Sequence, residues 1–276
     1  DSVLDLTGSG IISGPVRLEG CTLKASGSPT ISGDITQYDN ATIEVASGQT
    51  LTYSGAAVNL GAYTLTMSGE GTFSNTNALV LNNASSKLLL SNTTTVGSVS
   101  TSANNSGLEV NESSTITSLS VGHTTPVSID TGKTLSGAIA VTAGSIKLDD
   151  LGTLGSTVSM SGGTLDADET LTLSGALNHT ADITIDVANS KTLTYSGTAI
   201  SVGANTITLS GGGSFVSGGM TLNDAASKLL LNSITLDSVS TSLASSGIDV
   251  DADATVTNLT VGHITPVSID TGKTLS

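Results

Sequence analysis

An aliphatic or aromatic residue preceded by a small hydroxyl residue returns along this chain at Leu51, Phe73, Val96, Ile116, Leu135, Leu154, Leu171, Leu193, Phe215, Leu236, Val256 and Leu275. Successive members lie 17 to 23 residues apart. Within each period, short alternating runs such as TLTLSG, ITIDV and SIKLDD are separated by Ser-Gly, Gly-Gly, Asn-Asn or Asp-Thr-Gly. Alternation with a period of two, bounded by turn residues, predicts short strands, and no stretch shows helical spacing. Strands this short cannot each bury an apolar face alone. Coiling the chain so that each period stacks on the last turns inward residues into aliphatic columns and pairs the backbone between turns. The expected fold is therefore all-β, a single-stranded parallel β-helix (β-solenoid) of about 13 coils of about 20 residues. At ~4.8 Å between paired strands it would form a rod roughly 60 Å long. An antiparallel sandwich accounts for short strands but not for one column that returns every period.

A longer duplication overlies the short one. QTLTYSGAAVNLGAYTLTMSGEGTF (49–73) matches KTLTYSGTAISVGANTITLSGGGSF (191–215) at an offset of 142. ASSKLLL (84–90) matches AASKLLL (225–231), and VGHTTPVSIDTGKTLS (121–136) returns as VGHITPVSIDTGKTLS (261–276) with one change. The chain reads as one continuous solenoid, 1–276, made of two tandem repeat units, 1–136 and 137–276. A solenoid with no capping element exposes strand edges at both ends. The expectation is self-association end to end or continuation in a longer repeat array.

Composition narrows the possible roles. The 276 residues include 43 Ser, 43 Thr and 32 Gly against two Phe, four Tyr and no Trp, so the interior must be filled by aliphatic side chains. β-Branched residues suit stacked strands. The net charge of −15, with Arg17 as the single arginine, leaves no basic footprint for phosphates and predicts no nucleic-acid partner. No apolar run approaches the roughly 18–20 residues of a membrane span, so no membrane insertion is expected. Cys21 stands alone, which excludes an intrachain disulfide and a zinc cluster built on cysteine.

Both copies of the duplicated segment carry Asp-Thr-Gly, the tripeptide of aspartic proteases, at Asp130 and Asp270. Such catalysis needs two carboxylates sharing one proton. Seven coils of separation would hold these two roughly 30 Å apart. The tripeptide therefore reads as a tight turn, with Asp bonding nearby N–H groups and Gly in the left-handed region. Asp249, Asp251 and Asp253 alternate in DVDAD, so they would share one strand face and could gather calcium. Their partners in the other copy are Glu109, Asn111 and Ser113, which favours a solvated acidic edge. Asp149 with Asp150, and Asp166 with Asp168 and Glu169, read the same way. His123 and His263 are equivalent positions one unit apart, and His179 is isolated. A polysaccharide lyase would need clustered acids with a basic residue and aromatic sugar platforms, but Arg17 stands alone and Trp is absent. No catalytic, cofactor-binding or metal residue is assigned, and no enzyme activity or cofactor is expected.

The Thr-Leu-Thr-x-Ser-Gly runs at 50–55, 170–175 and 192–197, with the Ser/Thr/Gly bias and scarce aromatics, resemble the repetitive β-helical stalks of large bacterial surface proteins. Filamentous-haemagglutinin-type adhesins and autotransporter passengers are the nearest groups. The resemblance implies an extracellular or cell-surface structural or adhesive protein, a stiff rod or filament with a cell-surface or matrix partner. One alternative comes from the residues themselves. Thr precedes eleven of the twelve column members, and Thr follows at 52, 117, 172, 194 and 257. A double rank of Thr is similar to the ice-binding face of solenoid antifreeze proteins, although Asp237 and Gly97 interrupt the second rank.

Overall fold

A computed structural model of the chain describes residues 2–150, 152–244 and 246–276. Every regular element among these residues is a strand, and there is no helix. The chain divides into two compact units, Asp1–Ala140 and Val141–Ser276. In the first unit, one strand from each turn joins a rank made of Ser2–Leu6, Cys21–Ala25, Ala41–Val45, Thr64–Ser68, Lys87–Leu90, Gly107–Val110 and Thr125–Ile129. Each pairs in parallel with the next. The second unit repeats this with Ser145–Asp149, Thr164–Ala167, Ile183–Val187, Thr206–Ser210, Lys228–Asn232, Gly247–Val250 and Val267–Ile269. Each unit is a parallel β-solenoid, and together they hold about 13 turns of about 20 residues.

The column inferred from the recurrence exists, with two displacements. Leu51, Phe73, Val96 and Ile116 lie in direct register and are fully or almost fully buried. Leu171, Leu193, Phe215, Leu236 and Val256 form the matching column of the second unit. Leu154, however, pairs with Leu173 rather than Leu171, and Leu275 pairs with Ala254 rather than Val256. The cause is the period-two pleat itself. A Thr-Leu-Thr-Leu run offers two inward positions two residues apart, and a slip of two keeps every apolar side chain inside. Leu154 therefore heads the neighbouring column, above Leu173 and Tyr195.

Each unit changes its corners along its length. Early turns split their second side into two strands, as in Thr50–Tyr53 followed by Val58–Asn59 and Thr72–Asn75 followed by Leu79–Leu81. The next turn replaces the pair by one strand, Thr95–Thr101, which pairs with both Thr72–Asn75 and Leu79–Leu81. The second unit does the same where Ser214–Val216 and Met220–Leu222 both meet Thr235–Thr241. Tyr53 fills one split corner. Its hydroxyl donates to the Ala56 carbonyl at 2.6 Å and accepts from the Ile35 N–H at 3.1 Å, while its ring stacks on Phe73 with centroids 6.2 Å apart. Tyr195 accepts from the Leu177 N–H at 3.2 Å in the same place of the second unit. Gly55 is required here, because a Cβ would fall 2.7 Å from the Tyr53 hydroxyl and 2.6 Å from the Gly33 carbonyl.

The corners also explain the hydroxyl- and amide-rich composition. Where the backbone bends away from its ladder, a side chain of the turn before or after accepts the orphaned N–H. Thr64 donates to Asn40 Oδ1 and Thr206 to Asp182 Oδ1, at 2.8 and 2.7 Å. Gly61 donates to Asn82 Oδ1 and Gly203 to Asn223 Oδ1, both at 2.8 Å. Thr50 donates to Ser28 Oγ and Thr192 to Thr170 Oγ1, both at 3.1 Å. Each pair of bonds occupies corresponding positions in the two units.

Candidate functional surface

The Asp-Thr-Gly tripeptides form turns. The Lys133 N–H donates to the Asp130 carbonyl at 2.9 Å, and Lys273 does the same to Asp270 at 2.9 Å. Gly132 and Gly272 have φ of 76° and 77°, the left-handed conformation that the turn demands. The closing acceptor is thus the main-chain oxygen of the aspartate, where a side-chain bond was expected. Both aspartates are exposed, each in a turn of its own unit.

The DVDAD triad does not share a strand face. The strand ends at Val250, and the chain bends at Asp251 and Ala252, which turns the alternation off before it reaches Asp253. Asp249 pairs with Lys228 at 2.9 Å, and Asp253 Oδ1 accepts from the Thr274 N–H at 2.9 Å. The other copy keeps both devices with different residues: Lys87 pairs with Glu109 at 2.6 Å, and Ser113 Oγ accepts from Thr134 at 3.1 Å. Among the described residues, no three His, Cys, Asp or Glu side chains converge on a metal-sized site.

The charged groups of the surface are organised in ladders along the turns. Lys24–Glu44, Lys87–Glu109, Lys133–Glu112, Lys147–Asp168, Lys191–Glu169 and Lys228–Asp249 are ion pairs that each join one turn to its neighbour. Arg17 is bound locally to Glu19 at 3.0 Å and lies 3.9 Å from the centroid of the Tyr38 ring. Asp166 is the exception to this balance. It faces Asp186 in direct register, beside Asp168. Partial burial pushes its pKa from 3.8 up to about 6, with Asp168 and Asp186 adding to the rise and Lys147 opposing it. Burial also raises the pKa of Asp149. Sequence reading grouped Asp166 with solvated acids; aligning it at the 142-residue offset with Lys24 would have exposed the reversal of charge.

The histidines stand apart from one another. His123 is half-buried and His263 exposed, and their carbonyls accept from Thr125 and Thr265 Oγ1 at 3.0 and 3.2 Å. His179 has a counterpart that the sequence hid, Gln37. The His179 ring nitrogens lie 3.3 and 3.0 Å from the Ala181 and Ser201 carbonyls. Gln37 Nε2 donates to the Asp39 and Thr64 carbonyls at 3.1 and 2.9 Å. Both side chains tie a corner to the next turn.

The Thr rank is continuous over limited stretches. Thr50, Thr72, Thr95 and Thr115 lie in register in the first unit. Thr192, Ser214, Thr235 and Thr255 do so in the second. Thr153, expected in this rank, sits over Thr172 and Thr194 in the neighbouring one, which then ends at Val216. Asp237 interrupts that rank further, with its carboxylate accepting from the Ser217 and Ser238 N–H groups at 3.0 and 2.8 Å. A second Thr ladder went unnoticed in the sequence: Thr22, Thr42 and Thr66, matched by Thr164, Thr184 and Thr208. Comparison with known proteins gave no matching family model, no matching curated protein and no matching solved structure.

Proposed function

We propose that the chain is a structural or adhesive repeat segment of an extracellular or cell-surface protein, contributing a stiff module to a rod or filament. It acts mechanically, without a cofactor or catalytic centre, and engages neither nucleic acid nor the membrane interior. The observation that carries this reading is the shortness of the connections. Among the described residues, no two successive strands are separated by more than five residues, as between Leu81 and Lys87 or Leu222 and Lys228. Active sites and receptor-binding loops are usually built on longer excursions from a scaffold. The cross-turn ion pairs and corner bonds tie each turn to its neighbour, which suits load bearing. The lone Cys21, the Ser/Thr-rich surface and the acidic charge accord with an exterior location, as in the β-helical stalks of bacterial adhesins. Limited proteolysis of the folded chain tests the mechanical reading. Survival of both units under a broad-specificity protease is expected, and rapid cleavage at many corners would contradict it. Immunolabelling of intact cells tests the location, with surface signal expected.

Ice binding is the second reading, favoured by the in-register Thr ladders. Thermal hysteresis or faceted ice growth with the purified chain would establish it, and unshaped ice would remove it.

A further inference from the structure

Two sides of the first unit differ in charge. The ranked strands of one side carry Asp5, Lys24, Glu44, Lys87 and Glu109. The other side is built from Thr50–Tyr53, Val58–Asn59, Thr72–Asn75, Leu79–Leu81, Thr95–Thr101 and Ser114–Val121, and these strands contain no Asp, Glu, Lys or Arg. Their outward positions hold hydroxyls in register. Thr50, Thr72, Thr95 and Thr115 form one rank. Thr30, Thr52 and Ser74 begin a second, which Thr117 resumes beyond Gly97.

The use made of these hydroxyls sets them apart. At the corners of the same unit, Ser86, Thr94, Ser106 and Ser114 donate to the carbonyls of Gly61, Gly71, Ala103 and Asn92. Among the described residues, the side chains of Thr50, Thr52, Thr72, Thr95, Thr115 and Thr117 bond to no other part of the chain, so their hydroxyls face solvent. Threonine is stiff at χ1, so each rank restricts its hydroxyls and methyls before any partner arrives. The contact repeats at every turn, ~4.8 Å apart. A partner that engages all the turns at once must itself repeat, and one that meets a face without charge gains most by being neutral. Ice is such a partner, a neutral lattice of hydrogen-bond donors and acceptors. We propose that this uncharged side of the first unit is the surface through which the chain adsorbs to ice. The proposal rests on the second functional reading and deepens it by assigning the contact to one side of one unit.

Other surfaces and other occupants fit less well. The ladder of Thr22, Thr42 and Thr66 lies beside the Lys24–Glu44 ion pair and runs on into Leu89 and Glu109. Ions keep their own hydration and have no place in an ice lattice. In the second unit, Val216 and Asp237 interrupt the corresponding second rank. A second copy of the chain is disfavoured by size. Four turns at ~4.8 Å and two outward residues at ~3.3 Å per residue make a patch of a few hundred Å² at most, against about 800 Å² per partner in a stable protein interface. A crystalline polysaccharide would want aromatic platforms, and the rings on these strands, Tyr53 and Phe73, are 0 % exposed.

The test is thermal hysteresis and ice-crystal shape with the 276-residue chain and the variants Thr72→Tyr, Thr117→Lys and Thr42→Tyr. None of the three side chains is buried, so melting curves close to wild type are expected. Wild type and Thr42→Tyr should give the same hysteresis and the same faceted crystals. Thr72→Tyr should lose most of the hysteresis by breaking the flat rank. Thr117→Lys, at an exposed position, should lose it by adding a charge, and it carries the test if Thr72→Tyr folds poorly. Full hysteresis in Thr72→Tyr and Thr117→Lys would overturn the assignment, and a loss confined to Thr42→Tyr would move ice binding to the charged side. Equal loss in all three variants would also overturn it. Unshaped ice with the wild type would overturn it together with the reading it rests on.

Discussion

The same register position carries opposite electrostatics in the two units. In the first, Lys24 lies between Asp5 and Glu44, and it bonds Glu44 at 2.8 Å. In the second, Asp166 lies between Lys147 and Asp186, so a like-charged pair replaces the ion pair. Beneath both positions the buried neighbours are conservative: Leu23 and Ile43 in one unit, Leu165 and Ile185 in the other. The columns and corners set where the strands run, and the outward positions are free to exchange even the sign of a charge. Partial exposure makes this tolerable, since charges near water interact weakly compared with the apolar columns below them.

That contrast separates what the units share from what they do not, and the largest effects should be shared. Phe73→Ala and Phe215→Ala remove fully buried rings from matching columns and should each cost roughly 3–5 kcal/mol in chemical denaturation. A large cost in one unit with none in the other would break the equivalence. Gly55→Ala and Gly197→Ala drive a methyl into the Tyr53 and Tyr195 hydroxyls and should each cost roughly 1–3 kcal/mol. Combined with truncation of the neighbouring tyrosine, each should cost less than the sum of the two single changes, because the methyl and the hydroxyl then no longer collide.

The unit-specific effects come next. The folded state holds the Asp166 proton up to about pH 6, whereas the unfolded chain releases it near 3.8. Between these values the folded state binds more protons, so this group makes stability fall as pH rises, and its cost is complete above about pH 6. Asp166→Asn should therefore raise the Tm of the second unit at pH 7.5, and the gain should vanish below the unfolded pKa. Lys24→Asp should lower the Tm of the first unit by setting three acids in line. The smallest effect belongs to the exposed ion pairs. Lys133→Met, which removes the pair with Glu112, should change stability by no more than about 1 kcal/mol, with a loss that shrinks in high salt.

Much of this architecture is legible in the chain because its period is strict in the places that matter. Leu51, Phe73, Val96 and Ile116 announce their column through spacing alone. Leu154 and Leu275 do not, because a pleat with a period of two accepts a slip of two residues without exposing anything apolar. Corner length is the quantity that decides between registers, and it varies: seven positions separate Leu51 from Val58, but three separate Val96 from Val99. The DVDAD alternation misled for a related reason, since a strand that stops at Val250 leaves no trace in the pattern of charges. Tyr53 filling its corner, and Gln37 and His179 doing one job with different chemistry, depend on contacts between turns that linear spacing does not encode. The reversal at Lys24 and Asp166 was present in the sequence and needed only the two copies laid side by side.

The solenoid requires turns that stack in parallel, one strand spacing at a time. Spin labels on a Cys21→Ser background, one fixed at Thr22 and the other moved through Leu89, Glu109 and Ser128, sample positions three, four and five turns away in one ladder. Electron–electron distances should increase in even steps of ~4.8 Å, from roughly 14 to roughly 24 Å before the label linkers are allowed for. Distances that failed to rise with turn number, or that alternated as opposed antiparallel layers require, would contradict it.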